Sequence, residues 1–162
     1  MATGDTLFFT PLANQPPSTL FATLDTRNLH PILAFDAATA WDAVFGGVLA
    51  GNYAGGGLTV TIHWTAASAT SGDVKWNAAI ERMDTGTDLD ADSFASVQTT
   101  TTTTSATSGA IVTTSITFTN GAQMDSLAAG EAFRLKITRD AAAGGDTMTG
   151  NAEIHRVVVR EN

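Results

Sequence analysis

The sequence predicts an all-β protein, a jelly-roll-like antiparallel β-sandwich of about eight strands. Three observations predict it. Apolar residues alternate with polar ones in stretch after stretch, as in Leu58, Val60, Ile62 and Trp64 against Thr59, Thr61 and His63. Side chains alternate across a strand, so this pattern buries one face and wets the other. The stretches are short and bounded by Gly, Ser, Asn and Asp, with no long helical period between them. Charged residues make up only 15% of the chain, well under the usual roughly 25%, and threonine, alanine, glycine and serine fill the gap. At 162 residues the chain fits one core.

Residues 1–30 read as an extended N-terminal arm or lead-in, and 31–162 as the sandwich. Leu7-Phe8-Phe9 is an apolar knot followed by Pro11 and then Pro16-Pro17. Prolines at this density remove ladder donors and favour extended backbone. The arm folds on its own domain or reaches a neighbouring subunit. Leu7, Phe8, Phe9 and Phe21 are its interface candidates, because large apolar groups are costly to leave in water.

His30-Pro31-Ile-Leu-Ala-Phe35 is the first expected strand, with proline at its start. Trp41, Val44, Phe45 and Val48 then fall at i, i+3, i+4 and i+7, which predicts a short helix weakened by Gly46-Gly47. Strands are expected at Leu58–Thr65, Val74–Ile80, Phe94–Thr103, Ile111–Thr119, Ala132–Arg139 and Asn151–Arg160. Trp64 and Trp76 fall in register with apolar neighbours, which makes them the expected core centre. The six threonines at 99–104 read as a solvated edge strand, since threonine has high β-propensity. Gln123–Ala129 is a turn or short helix. In the last strand Ile154, Val157, Val158 and Val159 cannot share one face. Either a bulge resets the register, or both faces are covered and Val157 and Val159 belong to an interface.

Composition excludes several functions. The net charge is −8, from 16 acidic and 8 basic residues. That argues against naked nucleic acid and against anionic lipid. With no cysteine there is no disulfide and no thiolate metal site. The N-terminus shows no basic and apolar leader, and no apolar run approaches the ~18 residues a membrane span needs. No cofactor is expected.

Chemistry-bearing patterns are sparse. His30, His63 and His155 have no nucleophile elbow or metal-spaced partner near them in sequence, and His63 beside Trp64 is the candidate for lining a groove. No carboxylates pair on facing strands as a glycosidase requires. The chain therefore reads as a non-enzyme. Asp84, Asp88, Asp90 and Asp92 form one acidic loop. It lacks EF-hand spacing, so a solvated loop is expected and calcium is the weaker alternative. Gly55-Gly56-Gly57 precedes a strand and lacks the lysine of a phosphate loop, so it is a turn. Trp41 and Tyr53 lie in irregular segments and keep glycan stacking open.

Four stretches together resemble small virion structural proteins of tailed bacteriophages. They are Tyr53-x-Gly-Gly-Gly-Leu-x-Val-x-Ile-x-Trp64, Ala67-Ser-Ala-Thr-Ser-Gly-Asp-Val-x-Trp76, Asp88-x-Asp90-x-Asp92-Ser-Phe94 and Gly130-Glu-x-Phe133-Arg-x-x-Ile-x-Arg139-Asp140. The resemblance spans roughly residues 35–160 and carries over no catalytic residue. It implies a jelly roll made in the host cytoplasm and used in the virion. The main expectation is a capsid decoration (cement) protein whose partners are the major capsid protein and its own copies, as a trimer or dimer. The alternative is a tail- or fibre-associated sandwich that binds host-surface glycans.

Overall fold

A computed structural model describes residues 6–162. It contains ten strands in two antiparallel sheets packed face to face. The strands are β1 (Thr6–Phe9), β2 (Thr23–Arg27), β3 (His30–Phe35), β4 (Trp41–Val48), β5 (Leu58–Ala66), β6 (Asp73–Met83), β7 (Gln98–Thr103), β8 (Val112–Phe118), β9 (Ala132–Arg139) and β10 (Ala152–Glu161). The larger sheet runs β2-β3-β10-β5-β8, and β1 also pairs with β10. The smaller runs β4-β9-β6-β7.

The core is what the alternation dictates. Leu58, Val60, Ile62 and Trp64 from β5 meet Val74, Trp76, Ala78 and Ile80 from β6, all essentially without solvent exposure. Trp76 packs edge-on to both Trp64, at 5.9 Å between centroids, and Phe35, at 5.1 Å. Such edge contacts suit the ring quadrupoles. The Trp64 indole N–H reaches across to Thr114 Oγ1 on β8, which donates in turn to Thr102 on β7. These hydroxyls close one side of the sandwich, where the two sheets' edge strands meet.

The opposite side is closed by the lead-in, which does not extend away as an arm. β1 pairs with β10 and β2 with β3. Between them the chain crosses to the free edge of β4. Gln15 N–H donates to Val44 O, Asn14 Oδ1 accepts from Val44 N–H, Ala22 N–H donates to Asp42 O, and Asp42 N–H donates to Leu20 O. An unpaired strand edge invites aggregation, and here the chain covers its own.

Two expected elements differ. Residues 41–48 form strand β4 rather than a helix. Ala43, Val44 and Phe45 are consecutive and all buried, because the lead-in covers the face that a two-sided strand would leave wet. The glycines that looked like helix breakers make room for side chains, Gly46 for the Gln15 amide and Gly47 for two rings. A Cβ on Gly47 would lie 3.0–3.1 Å from the Phe133 and Phe9 rings. The third expected strand starts at Gln98 rather than Phe94, since the ladder to β6 ends at Ala78. Phe94 lies instead beneath the cationic groups of Arg134 and Lys136, 5.3 and 4.8 Å from its centroid. β7, carrying Thr99–Thr103, is an edge strand as expected, but the run is not wholly solvated: Thr102 accepts from Thr114, and Thr104 just beyond the strand is buried.

The irregular strand β10 resolves through a bulge. Ile154 pairs with Trp64 and Arg156 with His63, so His155 is the extra residue. The reset lets Ile154, Val157 and Val159 all face the core, at 0%, 0% and 1% exposure. Val157 and Val159 thus have no surface to offer a partner. Val158 faces outward beside Phe8 of β1, its register partner. At the other end of the chain's most regular strand, the Gly55–Gly57 turn is demanded by close approach. A Cβ on Gly57 would collide with Phe118 O, and its φ is +84°.

Candidate functional site

One groove of about 590 Å³ opens on the larger sheet. Its size falls within the ordinary range of small-ligand clefts. Phe8 and Thr10 come from β1 and its exit; Arg27, Asn28 and His30 come from the β2–β3 turn. Gly109 and Ile111 come from the loop before β8, and His155 and Arg156 from the bulge of β10. Phe8 and Ile111 are 65% and 57% exposed, so two large apolar groups face solvent at its walls.

The bulge positions the polar side. A bulge re-aims the side chains at the extra residue. His155 Nε2 lies 2.9 Å from Thr65 Oγ1, which is 3.1 Å from Glu153 Oε2. Arg27 Nη1 donates to the same Glu153 oxygen at 2.7 Å and to the carbonyl of Ala66 at 2.8 Å. A carboxylate accepts only, so the single Thr65 hydroxyl proton goes to Glu153 and His155 donates through Nε2–H. Burial holds the His155 imidazole below its ordinary pKa; Glu153 opposes this, and Arg27, His30 and Arg156 reinforce it.

A hydroxyl, an imidazole and a carboxylate in contact invite comparison with a nucleophilic triad. The order is wrong. In a triad the imidazole bridges the other two. Here the threonine bridges, and Thr65 is 1% exposed. The cluster orients groups and offers no nucleophile to a substrate.

The residues singled out in the sequence are scattered by the fold. Phe9 is buried and stacks on Phe45 at 5.3 Å, while Leu7 is half-buried against the core. Phe8 and Phe21 are exposed, on different faces of the lead-in's path. His63 is paired with Arg156 in register yet does not line the groove; burial, then Arg156 and Arg160, lower its pKa. Trp41 and Tyr53 are half-buried against the core and are not open platforms. The Tyr53 hydroxyl is occupied by Gly57 N–H at 2.9 Å.

Asp84, Asp88, Asp90 and Asp92 do not converge. Asp84 pairs with Arg82 at 2.7 Å, and Asp88 Oδ1 accepts from the backbone N–H of Asp90. Among the described residues no group of three or more His, Cys, Asp or Glu is placed to hold a metal ion.

Sequence reasoning missed Arg27, Asn28, Ile111 and Arg156. The one local signal was the broken alternation at 154–159, which marked the bulge but not the groove it lines.

No family model and no curated protein matches the chain. Solved structures do. The CBM36-1 domain of a multidomain xylanase, from the hindgut metagenome of Trinervitermes trinervoides, superposes with a TM-score of 0.52. It is 9% identical and covers 96% of both chains. The chain has the β-sandwich fold of that module. The family 30 carbohydrate-binding module of a Clostridium thermocellum cellulosomal cellulase overlaps less well, with a TM-score of 0.49, 7% identity and coverage of 97% of this chain and 91% of that one. So does the C-terminal CBM6 of LamC from Zobellia galactanivorans, with a TM-score of 0.48, 8% identity and coverage of 96% and 99%. At such identities the likeness speaks for the fold alone.

Proposed function

We propose that this chain is a non-catalytic binding sandwich that takes a carbohydrate in the groove between the β2–β3 turn, the loop before β8 and the bulge of β10. The observation that carries the reading is the pairing of exposed apolar walls, Phe8 and Ile111, with a rim of side chains able to hydrogen-bond hydroxyls. A sugar ring has an apolar face and a polar edge, and small-ligand sites combine apolar lining with a few placed polar groups. The fold it shares with a xylanase's carbohydrate-binding module supports the same reading. In a phage particle such a module belongs to the tail or a fibre, where it meets the host surface.

A glycan array tests this with the native chain and the Phe8→Ala/Ile111→Ala double variant. Hits that the double variant loses are expected. An array silent for the native chain would end the reading.

A second reading, capsid decoration, draws on different side chains. Leu12, Leu20, Phe21 and Leu24 on the lead-in and β2 are 71%, 56%, 41% and 53% exposed. Exposed apolar groups this close together fit protein contact. A cement protein binds the assembled lattice and stabilises it by mass action. Saturable binding to capsids, lost on Leu12→Ser/Phe21→Ser, is its expected signature.

A further inference from the structure

The charge distribution of the groove is opposite to that of the molecule. The chain carries a net charge of −8. Yet two of its eight basic residues and two of its three histidines line this groove, and none of the lining residues is a carboxylate. The basic residues elsewhere are mostly spent on partners. Lys75 pairs with Asp140, Arg82 with Glu131, Arg134 with Glu81 and Arg139 with Asp146. Arg27 is spent too, on Glu153 at 2.7 Å. Arg156 is different. It is exposed, it lines the groove, and it has no carboxylate partner among the described residues.

His155 adds a second donor that depends on pH. Its Nε2–H is held by Thr65, which leaves Nδ1 without a protein partner among the described residues. Neutral, Nδ1 accepts; protonated, it donates. The groups around it are Thr65 on β5, Glu153 and Arg156 on β10, Arg27 on β2 and His30 on β3. Arg27 and Arg156 are cationic, and the one carboxylate is already bound to Arg27 and Thr65.

We infer that the groove selects an acidic glycan, one whose sugar carries a carboxylate or a sulfate ester, with Arg156 as the contact to the anion. The inference rests on the glycan reading above. A planar guanidinium meets a carboxylate or sulfate through two parallel hydrogen bonds, which a neutral hydroxyl does not match. Phe8, opposite Val158 on the same sheet face, lies two residues along from Arg156 and offers its ring to the sugar's apolar side. An anion in the groove favours the imidazolium form of His155, so affinity rises as pH falls through the histidine range.

Calorimetric titration tests this with four probes: a neutral xylo-oligosaccharide, an oligogalacturonide, a sulfated galactan oligosaccharide and inorganic triphosphate. The acidic sugars are expected to bind about tenfold or more tighter than the neutral one, since a charge-assisted hydrogen bond is worth that much. Arg156→Ala should remove most of that gap, weakening the acidic probes about tenfold more than the neutral one. Moving from pH 8 to pH 5.5 should widen the gap, and His155→Gln should flatten the change. A neutral probe that binds as tightly as the acidic ones overturns the inference and leaves the glycan reading standing. So does unchanged acidic affinity in Arg156→Ala. Triphosphate binding as tightly as the acidic sugars overturns the sugar component. If no saccharide binds here and the array is also silent, both readings fall.

Discussion

Arg139 and Asp146 are the most buried ion pair in the molecule's described part, at 0% and 1% side-chain exposure. Arg139 Nε and Nη2 donate to the two Asp146 oxygens at 3.0 and 2.8 Å, and its remaining N–H groups reach the carbonyls of Gly150 and Met148. The pair therefore ties the loop between β9 and β10 to the smaller sheet. Removing one partner leaves the other charge buried without compensation. Asp146→Ala should lower stability by about 3–5 kcal/mol, read from the urea midpoint. A loss under about 1 kcal/mol would show that water reaches Arg139. The two core tryptophans offer a finer comparison. Trp64 Nε1 donates to Thr114 at 3.0 Å, whereas Trp76 Nε1 is buried with no partner among the described residues. Both shrink alike on change to phenylalanine, but only Trp64→Phe also breaks a hydrogen bond. It should cost about 1 kcal/mol more than Trp76→Phe. Equal midpoints would mean that Thr114 finds another donor.

The bulge of β10 lets folding be separated from the proposed binding within one element. β5 pairs without a gap, Trp64 to Ile154 and His63 to Arg156, across the extra His155. Deleting His155 makes the alternation regular: Ile154 in, Arg156 out, Val157 in. The deletion variant should fold and lose no more than about 2 kcal/mol. It should nonetheless lose the proposed glycan binding, because the groove loses a lining residue and the hydroxyl relay through Thr65. Unfolding of the variant would show that the bulge also serves the sheet. The lead-in makes a similar case. Asn14 Oδ1 accepts from Val44 N–H at 2.9 Å and so caps the edge of β4. Asn14→Ala should raise hydrogen exchange at the Val44 amide first, ahead of the amides of β9. These two elements also show where sequence stops. β5, β6 and β9 were legible because alternate residues are buried along most of each strand, although Ala79 and Glu81 of β6 and Thr65 of β5 are buried on the other face as well. β4 was misread because Val44 is covered by residues some 30 positions away, which no local period records. The groove was illegible for the same reason. His30 and His155 are distant in sequence and meet only because β3 and β10 pair.

Across the whole molecule, the titrating groups with shifted pKa act mostly in one direction. Burial lowers His63 and His155 below the ordinary imidazole value of about 6.5. Backbone N–H groups of Ala38 and Thr39 lower Asp36, and the Arg82 guanidinium lowers Glu131. In all four cases the unfolded chain binds a proton more readily than the folded one. Stability then rises with pH wherever those groups titrate. For the histidines, the stability present above the unfolded imidazole pKa is lost as pH falls through that value toward the depressed folded one. For the two carboxylates the loss follows at lower pH, below the ordinary carboxylate range. The melting temperature should accordingly be flat above about pH 7, fall gently from pH 6.5 to 5, and fall again below pH 4. No maximum is expected at the isoelectric point near 4.5, although net charge vanishes there. Self-repulsion is a diffuse term, while these shifts are local and specific. A His63→Gln/His155→Gln variant should keep the acid limb and lose the gentle one. Scanning calorimetry of both proteins between pH 3.5 and 8 decides it, and a stability maximum at pH 4.5 would show that net charge outweighs the four local shifts.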